Sequence, residues 1–263
     1  MPLSPEDLQD IAVRTLAHYE QHAQSYWEGT RDHDVSQNIA ALLQHMPGPP
    51  PFDLLDFGCG PGRDLRTFEA LGHRAVGLEG APSAAALARA HSGCEVLEQS
   101  FLQLDMGSQR YDGVFANAVL FHVPSQVLPK VLRQLQACLR PGGVLFSSIP
   151  RGDGHEGWNG ERYSAFHDWP TWRALVTAAG FDELDHFYRP AGLPRQQLEL
   201  PVFGGHYSER MKESSYAQVK GAVPGAVSPT NGGTRPRWAQ AQRACQGVWL
   251  PCRQHQYLGQ PAW

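Results

Sequence analysis

The stretch Leu54-Leu55-Asp56-Phe57-Gly58-Cys59-Gly60-Pro61-Gly62-Arg63-Asp64 runs from an apolar strand pattern straight into a glycine-rich turn and then into a helical pattern. Glycines at alternate positions suit a backbone that must turn tightly and approach a ligand, because a Cβ would obstruct both. The spacing is G-x-G-x-G, which differs from the G-x-G-x-x-G of dinucleotide sites. The shorter spacing argues against a site built to cradle a pyrophosphate.

Working outward, short apolar runs at 52–57, 75–78, 95–97, 113–116 and 144–149 alternate with helical patterns at 63–71, 84–91, 125–139 and 169–179. Such alternation predicts an α/β chain with right-handed crossovers and a doubly wound, Rossmann-like parallel sheet. Ligands of such sheets bind beyond the carboxyl ends of the strands, near the point where strand order reverses. Upstream, Ser4 is a candidate N-cap, Pro5 takes the first helical position, and Glu6 and Asp7 occupy the first turn. A second helical stretch at 35–46 follows Asp34 and stops at Pro47-Gly48-Pro49-Pro50-Pro51, which cannot continue a helix. Two helices at 1–47 therefore precede a main domain at 52–200. Beyond it, 205–263 is punctuated by Gly221, Pro224, Gly225, Pro229, Gly232, Gly233 and Pro236, and is expected to be an irregular, disordered tail.

Composition narrows the functional classes. Charged residues make up 18% and hydrophobic residues 41% of the 263 positions, and no apolar run is long enough to span a bilayer. The opening MPLSPEDLQD lacks a basic segment followed by an apolar one, so the expected location is cytoplasmic. The five cysteines, Cys59, Cys94, Cys138, Cys245 and Cys252, are odd in number and widely spaced, which argues for reduced thiols and against a disulfide framework or a metal site. A formal charge of −4 gives no general attraction to nucleic acid.

The glycine stretch and the motifs after it resemble class I S-adenosylmethionine-dependent methyltransferases over about residues 52–190. The resemblance implies a seven-stranded sheet, S-adenosylmethionine as cofactor and S-adenosylhomocysteine as product. In that family the loop Gly58-Cys59-Gly60-Pro61-Gly62 approaches the cofactor, and Asp56 supports the loop and the methionine amino group. Glu79, with Gly80 after it, ends the second strand and takes the ribose hydroxyls, a role that suits the paired oxygens of a carboxylate. Ser100-Phe101 stands where an acid and an apolar residue usually frame the adenine, so Ser100 departs from the pattern while Phe101 keeps it. Asn117 and His122, in Tyr111-Asp112-Gly113-Val114-Phe115-Ala116-Asn117-Ala118-Val119-Leu120-Phe121-His122, match the fourth strand and the loop beside the transferable methyl.

Related enzymes also carry an N-terminal lid whose Tyr and Arg approach the cofactor, which here nominates Tyr26 and Arg31. The stretch from Arg151 to Tyr163 reads as a loop on the acceptor side, because loops at strand carboxyl ends carry function disproportionately. Methyl transfer from a sulfonium is an in-line displacement that needs alignment above all, and a base only where the nucleophile must shed a proton. His122 is the first choice for that base, with His155 or His33 in reserve. The expected acceptor is a small molecule whose identity the residues leave open, as they leave the oligomeric state. Three other readings share these motifs: a non-catalytic S-adenosylmethionine-binding partner, a nicotinamide oxidoreductase, which the glycine spacing disfavours, and an aminopropyl transferase. Finally, the family's seventh, antiparallel strand has Leu198-Glu199-Leu200-Pro201-Val202-Phe203 as its candidate, yet Pro201 lacks the amide an interior strand needs.

Overall fold

The computed structural model describes residues 2–189 and 216–222. Among them, helices α1 (Pro5–Thr30) and α2 (Ser36–Leu43) lead into strand β1 (Asp53–Phe57), helix α3 (Arg63–Ala70), strand β2 (Arg74–Glu79), helix α4 (Pro82–Ser92) and strand β3 (Glu95–Glu98). Then come β4 (Tyr111–Asn117), a 3-10 turn at Leu120–His122, α5 (Leu128–Ala137), β5 (Leu139–Pro150), β6 (His155–Asn159), β7 (Arg162–Phe166), α6 (Trp169–Ala178), β8 (Asp182–Arg189) and β9 (Tyr216–Ala222). The sequence boundaries of the first five strands fall within a few residues of these. No helix among the described residues is long and apolar enough to cross a membrane.

Strand order is β3-β2-β1-β4-β5-β9-β8, with β1 to β5 parallel and β9 antiparallel to both neighbours. The chain moves from β1 out to β3 and then returns to the other side of β1 as β4, so the strand order reverses between β1 and β4. The continuous apolar runs of these strands are explained by burial on both faces. Leu55, Val114 and Leu145 pack with Val131, Leu135 and Trp172 of α5 and α6. Their neighbours Leu54, Phe115 and Phe146 pack with Leu42, Leu65 and Phe68 of α2 and α3. Successive residues of a strand point to opposite faces, so one apolar run serves two layers of helix.

Two sequence expectations need correction. The interior antiparallel strand is Tyr216–Ala222, seated between β5 and β8, so the sheet draws on a segment assigned to a disordered tail. Seven residues of strand within a long glycine- and proline-rich stretch leave little mark on its composition, which is why the segment was not apparent. The candidate at 198–203 and the rest of the tail, at 205–215 and 223–263, lie outside the described residues. The stretch after β5, read as a loop, is instead a hairpin: β6 and β7 pair antiparallel, with Trp158 opposite Tyr163.

α1 begins as its sequence predicts. The Ser4 hydroxyl accepts from the Asp7 amide at 3.1 Å while the Asp7 carboxylate accepts from the Ser4 amide at 2.9 Å, a reciprocal cap worth about 1 kcal/mol.

Candidate functional site

The glycine loop leaves β1 with Gly58, Gly60 and Gly62 all at positive φ. A Cβ on Gly58 would meet Val119 Cγ2 at 2.2 Å, and one on Gly62 would meet the Ala88 backbone at 2.8 Å, so these two glycines permit packing within the protein. Gly60 differs. Its nearest neighbour would be Tyr26 Cε1 at 3.7 Å, across the wall of a cavity that both residues line.

That cavity lies at the carboxyl ends of β1, β2 and β4, where the strand order reverses. Gly58, Gly60, Glu79, Ser100, Phe101, Asn117, His122 and Tyr26, all singled out from sequence, line it together. Five others do not. Cys59 is buried beside the loop, Gly62 packs on α4, and the space at Gly80 is closed by Leu16 Cδ2 at 2.6 Å. Arg31 is exposed and pairs with Asp32, and His155 lies exposed on β6. His33 is exposed beyond the end of α1. Asp56 sits beneath the loop.

Glu79 is buried, and its Oε1 accepts from the amides of Gly80 at 2.8 Å and Ala81 at 2.9 Å while Oε2 accepts from the Gly60 amide at 3.0 Å. Burial pushes this carboxyl above its ordinary range, against the three amides that favour its charge. Phe101 stacks on Phe57 with ring centroids 4.6 Å apart. Ser100 turns its hydroxyl to the amide of Leu102 at 3.3 Å.

Under the loop lies a polar network absent from the sequence reading. Asp64 receives both arms of Arg63, at 2.7 and 2.8 Å, and also the Asn117 amide at 3.2 Å. The Asn117 oxygen in turn accepts from Asn38 at 2.9 Å and Ser148 at 2.7 Å, which ties α2, α3, β4 and β5 together. Asp56 is 2% exposed, and its Oδ2 has no hydrogen-bond partner. Burial and the nearby charge of Asp64 push its carboxyl well above the usual range. Ala118, just after Asn117, holds φ at +58°, held there by bonds from its amide to the Ser148 carbonyl and hydroxyl at 3.1 and 2.9 Å.

His122 is buried and engaged on both nitrogens. Nδ1 lies 2.8 Å from the Tyr163 carbonyl and Nε2 lies 2.7 Å from the Tyr19 hydroxyl. A carbonyl only accepts, so Nδ1 carries the proton and Nε2 accepts from Tyr19. Burial pushes the imidazole down to about 3. Arg162 donates to the Tyr19 oxygen at 3.3 Å. Tyr19, which also lines the cavity, was not singled out from sequence. Its place on the apolar stripe of α1 gave it the look of a core residue.

α1 forms the remaining wall, and specific bonds hold it there. Glu20 accepts from the Ser83 amide at 2.7 Å and from the Ser83 hydroxyl, and Thr15 accepts from the Tyr163 amide at 3.1 Å. Near its end Trp27 stacks on His91 at 3.9 Å, and Arg63 donates to the Thr30 carbonyl at 3.3 Å.

A family model described as a methyltransferase domain matches residues 26–193. A ubiquinone biosynthesis O-methyltransferase of Methylobacterium sp. (strain 4-46) is 28% identical over 159 residues, covering 52% of this chain, and the chain spans 63% of that relative's length. Among solved structures, a Burkholderia thailandensis 1,6-didemethyltoxoflavin-N1-methyltransferase, crystallised with 1,6-didemethyltoxoflavin and S-adenosylhomocysteine, is similar with a TM-score of 0.62 at 21% identity. That match covers 85% of this chain and 92% of the other. The [4+2]-cyclase SpnF is also similar, with a TM-score of 0.58 at 16% identity over 85% of this chain and 98% of its own. The two structural likenesses are of fold, and they join proteins named for different reactions.

Proposed function

This chain belongs to the methyltransferase-domain family of class I S-adenosylmethionine-dependent enzymes, and we propose that it transfers the methyl group of S-adenosylmethionine to a small-molecule acceptor bound beneath α1. The observation that carries the reading is the meeting of the Gly60 backbone and the Glu79 carboxylate in one cavity where the strand order reverses. When bound, the cofactor supplies a methyl group on a cationic sulfur.

The residues present fit such a ligand. Gly60 leaves open the space a side chain would fill, and Glu79 offers carboxylate oxygens to ribose hydroxyls. Burial pushes the Asp56 and Glu79 carboxyls toward their neutral forms at and beneath the loop, and a ligand bearing a sulfonium and an ammonium would favour their charged forms. Phe101 would flank the adenine, and Asn117, bonded to Asp64 and Ser148, would stiffen the turn beside the methionine end. α1 serves as the lid, placing Tyr26 over Gly60 and excluding water.

His122 holds its proton at Nδ1 against Tyr163 and takes the Tyr19 hydrogen at Nε2, so it acts through Tyr19 as a positioning residue. A neutral imidazole also suits a cavity that receives a cation. Tyr19 is the polar group this arrangement offers to the acceptor, while His155 and Arg31 have no part in it.

The test combines calorimetry with label transfer. S-adenosylhomocysteine should bind the purified protein in the micromolar range, and methyl-labelled S-adenosylmethionine should pass its label to a component of a small-molecule extract. Transfer should vanish with Glu79→Ala. Binding without transfer from any extract would overturn the catalytic reading in favour of a non-catalytic cofactor-binding protein, and absence of binding would overturn the cofactor as well.

A further inference from the structure

The cavity changes character along its length. Where β2 and β3 end it is bordered by Glu79, Gln99 and Ser100. Where the chain leaves β4 and meets the first turns of α1 the lining is apolar: Leu8, Ile11, Ala12, Val119, Val123 and Pro124. Glu79 is the one carboxylate in the lining, already taking three amides, and no lysine or arginine is among the lining residues described. The polar side chains that line this side include Thr15, whose hydroxyl accepts from the Tyr163 amide, and Tyr19 and His122, which are neutral partners of each other. Arg162 reaches the region only through the Tyr19 oxygen.

From this lining we infer the class of acceptor: a neutral molecule with an apolar, ring-sized body and one protic nucleophile, an oxygen or nitrogen carrying hydrogen, set toward Tyr19. The inference rests on the cofactor reading above and adds to it what the second ligand is. An anionic acceptor entering this part of the cavity would surrender its hydration with no lysine or arginine in the described lining to replace it, a penalty that exceeds the gain from its apolar body. A neutral one of the same shape loses little, and each apolar carbon it buries contributes favourably. The nucleophile is the exception that the Tyr19 hydroxyl serves.

The test uses a matched pair of fluorescent probes, 2-naphthol and 2-naphthoate, titrated into the full-length protein saturated with S-adenosylhomocysteine. At pH 7 the naphthol is neutral and the naphthoate anionic on the same ring system. The naphthol should bind at least tenfold more tightly. Placing a cation in the apolar lining by Leu8→Arg, at a half-buried position in the first turns of α1, should reverse or erase that ratio while leaving S-adenosylhomocysteine affinity within about threefold. Ala12→Arg provides a second variant should the first fail to fold. Naphthoate binding as tightly as naphthol, no saturable naphthol binding by the complex, or a ratio indifferent to both arginines would each overturn the inference. Failure of S-adenosylhomocysteine itself to bind would be seen separately, and would overturn the cofactor reading along with this one.

Discussion

The two walls of the cavity are built on different principles. The sheet-side wall is shaped by backbone: Gly58, Gly60 and the left-handed turn at Ala118, fixed by bonds to Glu79 and Ser148. The opposite wall is side chain: one stripe of α1 running from Leu8 to Tyr26, held by a few bonds such as Glu20 to Ser83 and Thr15 to Tyr163. A backbone wall tolerates almost no substitution at its glycines and keeps one shape. A side-chain wall can change its chemistry residue by residue without disturbing the helix beneath, so under the proposed function acceptor selectivity would be set there and cofactor binding at the strand ends.

The sharpest way to break this contrast is Gly60→Val. A branched side chain at φ +51°, pointing at Tyr26, should reduce S-adenosylhomocysteine affinity more than a hundredfold, while the thermal transition moves by only a few degrees. Retained affinity by calorimetry would show that the backbone wall is not where the ligand lies.

His122, which meets α1 through the Tyr19 hydroxyl, sharpens the contrast where the two walls join. An unfolded histidine takes up its proton near 6.5, whereas the folded chain does so only near about 3. Between those values the unfolded state binds more protons, so stability is fully present above 6.5 and falls as pH drops through the window, by up to about 1.4 kcal/mol per pH unit. His73 and His167, also pushed down by burial, act in the same direction, so the measurement is a difference. Denaturant unfolding of His122→Asn between pH 7 and 4 should show a shallower slope than the parent. Equal slopes would mean that the imidazole is protonated in place.

Next in size, Glu79→Ala should weaken S-adenosylhomocysteine about ten- to a hundredfold, since hydrogen bonds to a charged group contribute roughly 1.5–3 kcal/mol. An unchanged dissociation constant would remove Glu79 from the ribose. The smallest effect belongs to the tether. Glu20→Ala removes both bonds to Ser83 and should raise amide exchange across α1 by about three- to thirtyfold, with the sheet strands unaffected. Exchange that rises equally in β1 and β4 would show the helix and sheet opening as one unit.

The same contrast explains what could be read in advance. A backbone wall writes itself into the sequence, because G-x-G-x-G after an apolar strand and an acid at the end of the next strand are demands on residue type at fixed spacing. Tyr19, Thr15 and Glu20 follow no such rule: on α1 a cavity-facing tyrosine has the same helical spacing as a core one, and only the partner contributed by Tyr163, Ser83 or His122 tells them apart. Arg31 and His155 are the reverse case, chemically suggestive side chains whose local chain direction carries them to solvent. Within the β6–β7 hairpin, Gly154, Gly157 and Gly160 imitate a loop. β9 lies too far along the chain from its partners β5 and β8 for its short run to suggest the pairing.

The Gly60 amide and Glu79 Oε2 belong to different loops, and each is the other's buried partner. With Oε1 taking two amides and Oε2 one, an acceptor site is left on Oε2, so a ligand hydroxyl can be received there while the Gly60 amide keeps its bond and the two loops stay joined.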